Sequence, residues 1–360
     1  MKSNGIFVVG LCVLGSIAAT SQGQAQSTSK RSFQAAQDPG EPAVLATCKN
    51  PPPPRQGPPP GQGQPIQGPR DYAVTEIPGV VAAGQKWTLF WHTTGNDADG
   101  FIATPDGGLL IAQNDNSKVV KLDKAGKESV VYSDTHTGGA LSRNAKGTLF
   151  INERGLKARI EELAPTRKIL ADRFQGDSLD CIGGVLNDLM ADNKGGVYFT
   201  MGGLFYVSPS GQVTSYGKDL RTNGIILSPD EKTLYVTNGP TLAAFDVQPD
   251  GSLTNQREFA KLEAGGNGDG SAVDDAGRIY VTSSPGVQVF SPEGKYLGLI
   301  PTPRPLISVA FSGPGKKTLY AISFYRVAPG TKDANGEEVT NEDEIYSIPM
   351  LATGIKSRAK

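Results

Sequence analysis

The stretch Leu186–Thr200, LNDLMADNKGGVYFT, holds the pattern on which the rest of the chain is built. After Asn187 comes a short apolar run, then the polar turn Asp192-Asn193-Lys194-Gly195-Gly196, then a second apolar run carrying Tyr198 and Phe199. Apolar runs broken by Gly/Asn/Asp clusters read as a tight β-hairpin, because those residues reach turn dihedrals that others avoid. Five more copies align on the second strand: DGGLLIAQ, KGTLFINE, EKTLYVTN, AGRIYVTS and KKTLYAIS. Anchored on Leu110, Phe150, Tyr198, Tyr235, Tyr280 and Tyr320, the spacings are 40, 48, 37, 45 and 40 residues. A period near 40 with only strands in each repeat predicts a β-propeller, and six copies predict six blades.

Bulk composition narrows the function. The 360 residues carry 35 basic and 36 acidic side chains, a net charge of −1, so no basic footprint for nucleic acid is present. Two His and three Cys leave little room for His- or thiolate-based chemistry. There is no Gly-x-Ser-x-Gly elbow and no His-Glu-x-x-His helix. His92 ends an apolar strand and reads as structural, while His136, before Gly138 and Gly139, is a candidate for the channel mouth. Arg154 and Arg221 are candidate substrate contacts, although an exposed ion pair is the commoner fate of such residues.

Along the chain, Lys2, the apolar run Ile6–Ala19 and Gly23-Gln24-Ala25 read as a signal peptide over residues 1–25, so the protein is expected in the periplasm or secreted, with no membrane segment in its mature form. Residues 26–70, with PPPPRQGPPPGQGQPIQGPR at their centre, have almost nothing to bury and are expected to stay extended or disordered. Cys48 in that segment and Cys181 in the repeats could pair in an oxidising compartment, or stay free, or bridge to another molecule. The propeller is assigned to residues 71–355 and is expected to be a monomer. Lys86–His92 reads as a strand that closes the last blade beside Asp343–Met350, since pairing the two ends of the chain removes an exposed sheet edge. The polar insert Thr331–Asn341 reads as a surface loop.

Innermost strands of a propeller line its axis, so one register of every repeat points to one place. Eleven or twelve residues before the anchors stand Asp99, Gly139, Asn187, Asn223, Asp269 and Ser308. Two carboxylates and two amide carbonyls, from Asp99, Asn187, Asn223 and Asp269, make a hard-oxygen set of the kind Ca²⁺ takes. Asp-Gly and Asn-Gly are equally ordinary turn dipeptides, as Asp106-Gly107 and Asp250-Gly251 are here, so the periodicity leaves both readings open.

NERGLKARIEEL, LNDLMADNKGGVYFT, NGIILSPDEKTLYVTN and GDGSAVDDAGRIYVTSSPGVQVFSPEGKYLGLIPTP, in this order between about Asp97 and Ile348, resemble segments of the senescence marker protein (regucalcin)/gluconolactonase family. The resemblance implies an all-β, six-bladed β-propeller with one divalent cation, Ca²⁺ or another hard ion, on its axis. Asn223 and Asp269 match family metal ligands, and Asn187 matches an asparagine that contacts metal or substrate. Asp99 falls where the family has Glu in Glu-Gly-Pro; here the motif is Asp99-Gly100-Phe101, one methylene shorter. The implied chemistry is opening of a sugar lactone or related ester, with Asp269 as the general base. A phosphoesterase of the diisopropylfluorophosphatase type and a non-catalytic binding propeller are the alternatives.

Overall fold

A computed structural model describes Met1 and residues 38–52, 68–333 and 336–360. The expected signal peptide, residue 1 apart, and most of the Pro-rich stretch lie outside these residues.

Six four-stranded antiparallel sheets follow one another along the chain. The first strand of each blade is short and buried: Phe101–Ala103, Gly138–Arg143, Leu189–Ala191, Thr222–Leu227, Ser271–Val273 and Ser308–Ser312. Each is followed by the strand that carries the anchor residue, and all six anchors are buried. Hairpins form where the turns predicted them. Gly107, Gly195 and Gly251 take positive φ, a backbone region that costs glycine nothing because it lacks a Cβ.

Apolar faces of neighbouring blades pack against each other. One layer, for example, gathers Tyr198, Tyr206, Ile226, Tyr235, Phe245 and Phe290 from three successive blades. Fully burying one such aliphatic or aromatic side chain is worth about 1.5–3 kcal/mol, so a blade is stable through its neighbours rather than alone.

The sixth blade is assembled from both ends of the chain. Its inner strands are Ser308–Ser312, Thr318–Arg326 and Asn341–Pro349, and its outer strand is Thr88–Thr94, paired antiparallel from Thr88 opposite Ser347 to Thr94 opposite Glu342. This is the closure expected from the sequence. Phe90 packs edge-on against Tyr320, with ring centroids 5.1 Å apart. His92 is exposed on this strand, opposite Glu344. Before it, residues 70–87 cross the fifth and sixth blades, where Val80 and Val81 are buried and the Trp87 indole donates to Pro301 O.

The longest interval, 48 residues between Phe150 and Tyr198, reflects an insertion between the second and third blades: a small hairpin, Arg173–Phe174 with Asp177–Ser178, then a 3₁₀ turn at Leu179–Ile182. Cys181 in that turn forms a disulfide with Cys48, the Cα atoms being 5.5 Å apart. Cys48 follows the short helix Glu41–Leu45. Residues 38–52 are therefore ordered against the propeller, which corrects the expectation of disorder for this part of 26–70. The covalent link, with Lys49 donating to Asp177 and to Gln175 O, supplies what the segment's small apolar content does not.

Candidate active site on the propeller axis

All six column positions meet. Asp99, Gly139, Asn187, Asn223, Asp269 and Ser308 line one cavity at the end of the channel where the first strands begin. The cavity continues outward into a space of about 180 Å³ bordered by Asn96, Val185, Ile307 and Phe324. Two wider hollows, of about 450 and 650 Å³, lie beside the tethered segment, but no comparable set of carboxylate and amide oxygens converges in either.

The repeated Asx-Gly pairs on the axis are not turns. Gly100, Gly224 and Gly270 do not adopt positive φ. A Cβ on Gly100 would lie 2.5 Å from Gly139 O, one on Gly224 would lie 2.0 Å from Asp269 O, and one on Gly270 would lie 2.8 Å from Ile307 O. These glycines mark where neighbouring blades touch backbone to backbone, and the preceding Asx side chain is thereby turned to the axis. Register breaks reinforce this: pairing jumps from Thr222 to Ile225 and from Gly138 to Ala140, leaving Asn223-Gly224 and Gly139 outside the regular ladder. Such bulges re-aim side chains beside functional sites.

A second ring of buried polar residues, which the sequence analysis missed, holds the column from behind. Asn152 Oδ1 accepts the backbone N–H of Gly139 and Ala140 at 3.1 and 2.6 Å. The Thr200 hydroxyl accepts from Asp188 N and donates to Asn223 O, Thr237 accepts from Gly224 N, and Thr282 donates to Gly270 O. In four of the six blades this residue stands two positions after the anchor, a polar break in an apolar strand that was visible in the sequence. In the sixth blade Asp343 serves the first: its Oδ2 accepts the N–H of Asp97 and Ala98 at 2.7 and 2.9 Å, fixing the loop that presents Asp99. Burial raises the Asp343 carboxyl well above the usual carboxylate range.

Arg154, one of two arginines singled out from the sequence, is buried on the axis, whereas Arg221 is exposed and His136 is exposed away from the cavity. Its guanidinium pairs with Asp99 Oδ2, donates to the carbonyls of Leu186 and Asn187, and lies 3.3 Å from Asn187 Oδ1. Gly139 is what admits it, since a Cβ there would sit 1.9 Å from Arg154 Nε. Asp188, also missed, lines the cavity and pairs with Lys360.

Asp269 joins no ion pair among the described residues. Burial, and then the nearby charges of Asp99 and Asp188, hold its carboxyl well above the usual range. A hard divalent cation suits this donor set: it would relieve the crowding of carboxylates, and Asn187, Asn223, Asp269 and the second oxygen of Asp99 are of the type such an ion prefers. One Asp99 oxygen is already taken by Arg154.

Residues 130–325 match the SMP-30/Gluconolactonase/LRE-like region. The chain belongs to that family. Within it, the chain is 26% identical over 220 residues to the gluconolactonase of Zymomonas mobilis, a match covering 52% of this chain and 61% of that protein. It is 32% identical over 313 residues to the lactonase drp35 of Staphylococcus saprophyticus, covering 78% and 91% of the two chains. Among solved structures, the calcium-binding protein regucalcin from Agrobacterium tumefaciens superposes with a TM-score of 0.55 at 19% identity, over 76% of this chain and 97% of that one. The last likeness speaks to the six-bladed fold.

Proposed function

We propose that this protein is an exported hydrolase that opens a sugar lactone or a related small ester at the axial site, using a hard divalent cation, with Ca²⁺ favoured. One observation carries the reading: Asp99, Asn187, Asn223 and Asp269, from four blades, converge on a single cavity in which Asp269 joins no ion pair among the described residues. The gluconolactonase and lactonase relatives support the substrate class, and the calcium-binding neighbour is in keeping with the ion. The space of about 180 Å³ is small beside the roughly 300–1,000 Å³ of pockets for drug-sized ligands, which favours a single-ring substrate.

Asp99, Asn187, Asn223 and Asp269 would hold the cation, which when bound supplies Lewis acidity at the substrate carbonyl oxygen. Asp269 accepts a proton from the attacking water as general base. Water oxygen bonds to the carbonyl carbon, the ring C–O bond breaks, and Asp269 returns the proton to the departing ring oxygen, leaving a hydroxy acid. Arg154 holds Asp99 and, through its bond to Asn187 Oδ1, leaves the Asn187 NH₂ group for a substrate hydroxyl. The Cys48–Cys181 disulfide supports an oxidising compartment.

The test is hydrolysis of gluconolactone and a panel of other lactones with and without chelator. Asp269→Ala and Asn223→Ala are each expected to lower kcat/KM by about 100-fold or more, and chelation to abolish turnover. Tight Ca²⁺ binding with no turnover on any lactone would make the protein a binding module instead.

A further inference from the structure

Beyond the sixth blade, residues 350–360 cross the face of the propeller opposite the axial cavity. Gly354 N donates to Lys316 O, and Asp275 N donates to Thr353 O. The Lys316 ammonium donates to the carbonyls of Ile355 and Arg358. Arg358 is buried and donates to the carbonyls of Leu227 and Ser228, while Ala359 pairs with Arg143 through both backbone bonds. The tail thus spans the far ends of the second, fourth, fifth and sixth blades. Its last residue turns into the channel.

There the Lys360 ammonium donates to Asp188 Oδ1, to Leu189 O at 2.9 Å and to Ile225 O at 3.0 Å. An ammonium has three N–H groups, and all three find acceptors. Such full satisfaction is what allows a side chain only 8% exposed to carry a charge. Asp188 is held as tightly: Oδ1 also accepts Leu189 N–H at 2.8 Å, and Oδ2 accepts Ile225 N–H at 3.0 Å. Asp188 therefore binds the first strand of the third blade to that of the fourth, directly beside Asn187 and Asn223.

Three carboxylates border the axial cavity, from Asp99, Asp188 and Asp269. We infer that Lys360 is a positioning residue that sets the charge of this cavity: its ammonium, delivered from the opposite face, keeps Asp188 committed to the channel wall, so that a cation or substrate meets only Asp99 and Asp269 as carboxylates. This rests on the divalent-cation reading above for its consequence, but the ion pair itself can be tested without the cation.

The experiment uses the full chain as wild type, Lys360→Met, Asp188→Asn and the double variant. Thermal unfolding is followed after chelation, and Ca²⁺ alone is then titrated by calorimetry. Lys360→Met is expected to lower Tm and to tighten Ca²⁺ binding on the order of tenfold, because an uncompensated third carboxylate faces the cavity. Adding Asp188→Asn should cancel most of both changes. Additive Tm effects with no coupling overturn the inference, and so does a Lys360→Met protein that loses stability but binds Ca²⁺ no more tightly than a Ca²⁺-binding wild type. Coupled Tm values with no Ca²⁺ bound by any variant support the counter-ion and overturn the cation reading instead.

Discussion

At the scale of single residues, Arg154 and Gly139 behave as one unit. The guanidinium fills the space a side chain at position 139 would take, and it is the cation nearest Asp99. Arg154→Met is expected to cost about 1–3 kcal/mol in denaturant unfolding, less than the roughly 3–5 of a fully buried pair because Asp99 keeps 25% of its side-chain exposure. Gly139→Ala should reproduce most of that loss by displacing the guanidinium alone. Glu153, one residue before Arg154, is a buried carboxyl. Burial, then its neighbour Glu161, raise its carboxyl to about 8, although Arg159 lies 2.5 Å away and Arg167 at 3.5 Å, whereas Glu161 is lowered. A carboxyl raised in the folded state contributes stability that is complete below its unfolded value and is lost as pH climbs toward the folded one. Glu153→Gln should therefore flatten the fall in stability between about pH 4.5 and about pH 8, read as Tm against pH.

At the scale of elements, the tethered helix Glu41–Leu45 has no buried residue of its own. Its place depends on the Cys48–Cys181 bond, which spans 133 residues. Replacing both cysteines with serine is expected to cost about 2–4 kcal/mol in reversible unfolding. A loss near zero would mean that the segment docks without the link. The hub was largely legible from the sequence, because Asp99, Asn187, Asn223 and Asp269 recur in register and that register is a property of the strands. The tether was legible only in part: pairing of Cys48 with Cys181 was one of three open readings, and propensity over a Pro- and Gln-rich stretch gives no sign that residues 38–52 dock on the propeller. Arg154 was seen but underweighted for a similar reason: whether an arginine reaches water or the axis was decided by the missing side chain at Gly139. Lys360 and Asp188 gave no local signal, as their pairing depends on how residues 350–360 dock.

At the scale of the whole molecule, closure of the ring protects every sheet edge but the outer ones. The strand Asn341–Pro349 is covered only because Thr88–Thr94 lies against it. A chain beginning after residue 94 would leave that strand's N–H and C=O groups unpaired, a template for pairing with another chain. It is expected to elute earlier than the full chain in size-exclusion chromatography, as oligomers or aggregate. A monomeric truncated protein with unchanged Tm would show that the closing strand is dispensable.

The same arrangement sets an order of events. Each of the first five blades can form by folding a few dozen consecutive residues back on themselves, as fast as local hairpins allow. The sixth must wait for Thr88–Thr94 to meet strands made more than 200 residues later, a long-range contact of the kind that slows folding. Until that meeting the nascent protein is an open crescent with two bare flanks, and the moment of its greatest vulnerability to aggregation is the last step before it is finished.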